Sequence, residues 1–217
     1  MQPGNTIALK GAMAKVPSIE EHVKTGKLVL NAESVGLSPE QFFRLCRDNP
    51  ELRLELTARK EIIVMSPTNS KTGMLNAEIT RQLANWAKKD GRGVAFDSSA
   101  GFTLPNGASR SPDASWILRK RWDALAPEQQ EVFAPICPDF VIELWSPSDT
   151  LKELQLKLAE YVTNGAQLGF LIYPPDRQVY IYRPHQALVC VAHPSTVSGD
   201  PELPGFTLDL NEIWQSR

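Results

Sequence analysis

The chain predicts a single α/β (α+β) domain, and three observations carry that expectation. Its 217 residues suit one globular unit. The 42% of hydrophobic residues supply a sizeable core, while 22% charged residues are ordinary for a folded protein. The run "DFVIELW" is followed by "DTLKELQLKLAEYVTNG" and then "LGFLIY", which is a strand–helix–strand unit set among hairpins and isolated helices.

Taken in order, residues 1–36 are weakly patterned and read as an N-terminal arm with one short strand near Lys27–Leu30, ahead of a domain over 37–217. "LSPEQFFRLCRDN" starts a helix, with Ser38 as N-cap and Pro39 at the first helical position. "LRLELTARKEIIVMSP" alternates as a hairpin around Ala58–Lys60, and a helix follows from about Thr72 to Lys89. "GVAFD", "GFTLPNG" and "SPDASWIL" read as short strands, and residues 119–135 as a polar helical excursion. "DFVIELW" is the central buried strand. The next helix ends at Asn164–Gly165, and "LGFLIYPPDRQVYIYRP" turns back on itself across Pro174–Arg177. "LPGFTLDLNEIW" closes the chain with a strand and a turn of helix.

Composition excludes several classes. A net charge of −2 advertises neither a nucleic-acid coat nor an acidic membrane, although a local basic groove fits inside a neutral total. Cys46, Cys137 and Cys190 are far apart and in no CxxC spacing, so they read as three buried reduced thiols. His22, His185 and His193 lack the spacing of a zinc site or a triad. With no apolar stretch approaching about 18 residues and no signal-like start, the expected location is cytoplasmic.

Charged residues stand where core residues belong. Glu143 interrupts the buried strand, where it shares a face with Asp139, Val141 and Trp145 while Phe140, Ile142 and Leu144 face the other way. Lys157 falls on the Leu154–Leu158–Tyr161 stripe of the later helix, and Glu78 and Gln82 fall on the Leu75–Ile79–Leu83–Trp86 stripe of the earlier one. Asp113 opens the strand "SPDASWIL". If these elements are neighbours, Glu78, Asp113, Glu143 and Lys157 converge. Carboxylates with a lysine suit a hard cation such as Mg²⁺, which polarises a phosphodiester and lowers the pKa of an attacking water. Plain alternatives stand beside this one: a buried Glu143–Lys157 ion pair, Asp113 as a strand-entry residue, and Glu78 at the stripe's edge in solvent.

"MSPTNSKTG", "GFTLPNGASRSPDASWI", "CPDFVIELWSPSD", "LQLKLAEYVTNGAQLGFLIYP" and "LPGF" together resemble the Uma-two branch of the PD-(D/E)XK nuclease superfamily, from about Leu37 to Trp214. The resemblance implies a restriction-endonuclease-like core, a central mixed β-sheet flanked by helices, and hydrolysis of phosphodiesters with Mg²⁺ or Mn²⁺. It implies Asp113 and Glu143 as metal ligands, Glu78 as a supporting ligand or water-orienting group, and Lys157 as electrostatic stabiliser. The usual nuclease lysine lies two residues after the strand glutamate. Here that position is Trp145, so activity requires Lys157 to reach the site. The histidine many members carry after the SPP-like turn is replaced by Ser70, Lys71 and Thr72.

The expected function is therefore a Mg²⁺-dependent DNA endonuclease, with Arg110, Lys71, Lys120 and Arg121 as candidate phosphate contacts. The alternative is a catalytically decayed nuclease fold acting in nucleic-acid binding or assembly. A homodimer is a further expectation, with "VYIYRP" as a candidate pairing edge.

Overall fold

The computed structural model describes residues 27–215, so residues 1–26 of the arm expected over 1–36 lie outside the described residues. Strand β1 (Leu28–Asn31) precedes helix α1 (Pro39–Asp48). The helix begins as expected: Ser38 accepts from Gln41 N, and the Gln41 side chain accepts from Ser38 N. The hairpin β2 (Arg53–Leu56) and β3 (Glu61–Met65) follows, with Lys60 at φ 61° in its turn. Helix α2 (Ser70–Asp90) is capped by the Asn69 side chain and stops at Gly91, whose φ of 72° suits a residue without a Cβ.

Strands β4 (Gly93–Asp97), β5 (Phe102–Thr103), β6 (Ser109–Arg110) and β7 (Ala114–Leu118) come next. The polar excursion is two helical turns, α3 (Arg119–Trp122) and α4 (Pro127–Gln130). The central unit is β8 (Phe140–Leu144), α5 (Leu151–Thr163) and β9 (Leu168–Tyr173). After it come β10 (Gln178–Tyr182), β11 (Val189–Ala192), β12 (Thr196–Ser198), β13 (Thr207–Asp209) and α6 (Asn211–Gln215).

The main sheet runs β11-β10-β9-β8-β7-β4, mixed because β8 and β9 are parallel and its other pairs antiparallel. A second sheet runs β1-β3-β2-β6-β5. All five residues of β8 are buried, as a strand covered on both faces requires. Its alternation separates two cores. Phe140, Ile142 and Leu144 pack with Leu75, Ile79 and Leu83 of α2, whereas Val141 packs with Leu154, Leu158 and Tyr161 of α5.

Two expectations are corrected here. The "VYIYRP" segment is not a sheet edge: β10 is paired by β9 on one side and β11 on the other, so its backbone is already used. Of the three thiols only Cys137 is buried, while Cys46 is half-buried and Cys190 exposed on β11.

Gly93 marks a tight contact in the α2-side core. A Cβ there would sit 2.2 Å from Trp116 Cε2, and Trp116 is itself only 2% exposed. Gly93→Ala therefore forces that ring to shift, at about 1–3 kcal/mol. The expected result is a melting temperature lower by roughly 5 °C, read by differential scanning fluorimetry; an unchanged value would show that the ring relocates freely.

Candidate active site

Register brings the two predicted carboxylates together. Ala114 pairs with Ile142 and Ser115 with Val141 in the antiparallel β7–β8 ladder. One step beyond the ladder, Asp113 stands opposite Glu143, and opposed residues of an antiparallel pair project to the same face. That face is the one α5 covers, through Leu154, Leu158 and Tyr161. The same helix stripe delivers Lys157.

Lys157 reaches Glu143 from the helix that covers this face. Its Nζ lies 2.7 Å from Glu143 Oε1 and 2.8 Å from Glu55 Oε1. It also donates to the Ser111 carbonyl at 3.2 Å. Asp113 is held from two sides, accepting from Asn76 Nδ2 at 2.9 Å and from Leu144 N at 2.8 Å.

Glu55, on β2, was not foreseen as a site residue. Only 3% exposed, it accepts from Ser111 N at 3.1 Å and pairs with Arg110 at 3.0 Å as well as with Lys157. Arg110 in turn donates to Glu160 at 2.7 Å. A largely buried chain of contacts thus runs Glu160–Arg110–Glu55–Lys157–Glu143.

The charges in this chain are not equally comfortable. Burial alone would raise the Glu55 carboxyl, yet Lys157 and Arg110 beside it hold it down to about 2. Burial pushes Glu143 up to about 8; Lys157 opposes that, while the nearby Asp113 and Glu55 add to it. Burial also raises Asp113, against the Leu144 amide and Lys157. Burial works against the Lys157 ammonium, but Glu143 and Glu55 outweigh it and its pKa is raised.

Other predicted residues lie elsewhere. Glu78 does not join the cluster: Arg81 and Gln82 bind its carboxylate, and Gln82 exchanges hydrogen bonds with the backbone of Asp209 on β13. Asn76, two positions earlier and so about 200° around the helix, is the α2 residue that meets Asp113. Arg110 is not available to a phosphate, because it is buried between Glu55 and Glu160. Arg121 pairs with Asp139, which also accepts from Leu118 N, so Asp139 is a strand-entry anchor. Lys120 and Arg121 begin where β7 ends, about five residues or ~16 Å along the strand from Asp113. Lys71 lines a cleft of about 210 Å³ with Trp145, Pro147, Pro174 and Trp214.

No group of three or more His, Cys, Asp or Glu among the described residues is placed to hold a metal ion. Asp113 and Glu143 nevertheless fit one class of ion. Glu143 is buried and Asp113 half-buried, the two stand opposite each other at the end of the β7–β8 pair, and burial raises both carboxyls. Mg²⁺ and Mn²⁺ suit oxygen donors, and Mg²⁺ is commonly held by one or two carboxylates while keeping several waters.

This architecture, a mixed sheet between helices with paired acids at the end of its central strands, is a nuclease-type fold. It is shared with a solved structure from Anabaena variabilis described as "a putative nuclease belonging to DUF820". That chain is 22% identical, with a TM-score of 0.67 over 83% of this chain and 98% of the other. The chain belongs to the Uma2 family, whose model, described as "Putative restriction endonuclease", matches residues 39–211. No curated protein matches it. Among the described residues no helix is long and apolar enough to cross a membrane.

Proposed function

We infer that this chain is a metal-dependent endonuclease that hydrolyses DNA phosphodiester bonds. The observation carrying this reading is the approach of Lys157 Nζ to 2.7 Å from Glu143 Oε1. On this reading Lys157 supplies, from the neighbouring helix, the cation that position 145 lacks. Membership of a family described as restriction endonuclease supports the same reading.

Asp113 and Glu143 are the residues that would hold Mg²⁺ or Mn²⁺. Bound there, the ion would polarise the phosphodiester and lower the pKa of the attacking water. Asp113 is pre-positioned by Asn76 and the Leu144 amide, which fix both of its oxygens. Lys157, fixed by Glu55 and the Ser111 carbonyl, supplies positive charge where negative charge develops on the phosphate. Burial pushes the Glu143 carboxyl up to about 8 and a metal ligand must be ionised, so metal affinity is expected to rise with pH. Cutting both strands of a duplex calls for two such sites, and a homodimer belongs to the proposal on that ground.

The test is nicking of supercoiled plasmid with Mg²⁺ or Mn²⁺, by the unaltered chain, Asp113→Asn and Glu143→Gln. Cleavage by the unaltered chain and a loss of at least about 100-fold in both variants are expected; equal cleavage by all three sinks the assignment. Trp145 favours the second reading, a nuclease fold with a decayed site. Titration calorimetry decides between them, because a folded chain that binds neither Mg²⁺ nor Mn²⁺ at millimolar concentration has no metal site to use.

A further inference from the structure

Asn76, which holds Asp113, also lines a groove of about 470 Å³ together with Arg53, Gly73, Ala77, Thr80, Ala84 and Asp97. Three independent features mark it as a binding surface.

The first is Asn76. Its Nδ2 donates to Asp113 Oδ1, and the carboxylate acceptor fixes which way the amide points. Its Oδ1 is then left without a partner although the residue is only 8% exposed, and the side chain lines the groove. A buried amide oxygen is rarely left unpaired unless water or a ligand donates to it.

The second is Arg53. Its guanidinium donates to Thr68 Oγ1 at 3.2 Å and to the Ser98 carbonyl at 3.1 Å, both neutral oxygens. These bonds hold the group in place without neutralising it. Arg110, by contrast, is saturated by two glutamates.

The third is the wall itself. Gly73, Ala77, Thr80 and Ala84 fall on successive turns of one side of α2, and a Cβ at Gly73 would meet nothing within 4 Å. A wall of small side chains lets a polymer backbone lie close along the helix.

We propose that this groove holds the DNA strand to be cut, with Arg53 on a phosphate and Asn76 Oδ1 accepting a hydrogen bond from the attacking water at Asp113. The inference rests on the nuclease reading and adds the path of the strand and the role of Asn76. Asn76 takes the water-orienting position that the family resemblance implied for Glu78.

Three variants test it on the full chain. Arg53→Glu removes the phosphate contact. Ala77→Glu puts a negative charge in the groove from an exposed helix position that makes no side-chain hydrogen bond. Asn76→Ala removes the acceptor. Fluorescence anisotropy in EDTA with labelled single-stranded DNA, duplex DNA and RNA reads binding without cleavage, and plasmid nicking with Mn²⁺ reads turnover.

Arg53→Glu and Ala77→Glu are expected to weaken DNA binding by about tenfold, with the salt dependence of Arg53→Glu shallower by about one ion. Ala77→Glu is expected to keep the parent melting temperature. Asn76→Ala is expected to lower kcat by about 100-fold with KM little changed. Weaker binding of RNA in the same two variants, with RNA the tighter ligand of the unaltered chain, supports the groove and moves the substrate to RNA. Parent-like binding and nicking in both charge variants, with Asp113→Asn inactive, overturns the groove and leaves the nuclease reading standing. A folded chain that binds neither DNA nor RNA at low salt overturns both.

Discussion

Glu55→Gln is expected to lower the melting temperature by about 10 °C at pH 7, a loss of roughly 3 kcal/mol for a chain of this size. The substitution keeps the shape and removes one charge. Arg110 keeps only Glu160, and Lys157 keeps only Glu143, whose carboxyl resists ionisation below about pH 8. Two buried cations are thereby left with one firmly ionised partner between them, and breaking such a network costs more than an ion pair contributes in water. The sign with pH follows from Glu55 itself. Its carboxyl is held down to about 2 from an ordinary 4.5, so its contribution is complete above pH 4.5 and is lost as pH falls through 2. The gap between parent and variant should therefore close between about pH 5 and pH 2. Thermal melts across that range measure it, and a gap that widens toward acid would show that Glu55 is not a stabilising anion.

That network also shows where the sequence was readable and where it was not. Helix ends were legible because single residues set them: Ser38 with Gln41 at one start, Asn164–Gly165 at one stop, with Gly165 at φ 118°. Glu143 and Lys157 were legible as charges out of place on apolar faces, and the structure brings them to 2.7 Å. Glu55 gave no such signal. In "RLEL" it alternates with Leu54 and Leu56, which is the pattern of a strand with one wet face. The structure buries both faces, with Leu54, Glu55 and Leu56 all covered, because Arg110 and Lys157 come over the second face from distant positions. Contacts of that separation carry no local periodicity. Arg110 was misplaced for the same reason, since a lone arginine near a PD motif looks like a phosphate contact until its two glutamates are in view. Glu78 and Asn76 differ by the rotation of two helical residues, and periodicity fixed the stripe without fixing which polar neighbour rounds the end of β7.

Lys157→Met separates the chemistry of the site from its capacity to hold a cation. Removing the ammonium leaves Glu55, Glu143 and Asp113 facing one another without the charge that offset them. Glu143 then holds its proton to still higher pH, because burial and its acidic neighbours act unopposed. Two effects on metal affinity compete: a proton must leave, but the repulsion between Lys157 and an incoming cation is gone. At pH 9 the proton costs least, so Mn²⁺ binding by calorimetry is expected to be at least as tight as in the unaltered chain. Nicking at the same pH is expected to fall by about 100- to 1000-fold, the scale for losing one charge aimed at a developing oxyanion. Lys157→Arg, which keeps a positive charge on the same helix face, is expected to recover part of that loss while staying below the parent, since a planar guanidinium does not reproduce the three contacts of the ammonium. A purely structural lysine would lose binding and nicking together. Retained Mn²⁺ binding with lost nicking would instead place the ammonium at the reacting phosphate, and nicking equal to the parent in Lys157→Met would leave no cation for the step and remove the residue from the mechanism.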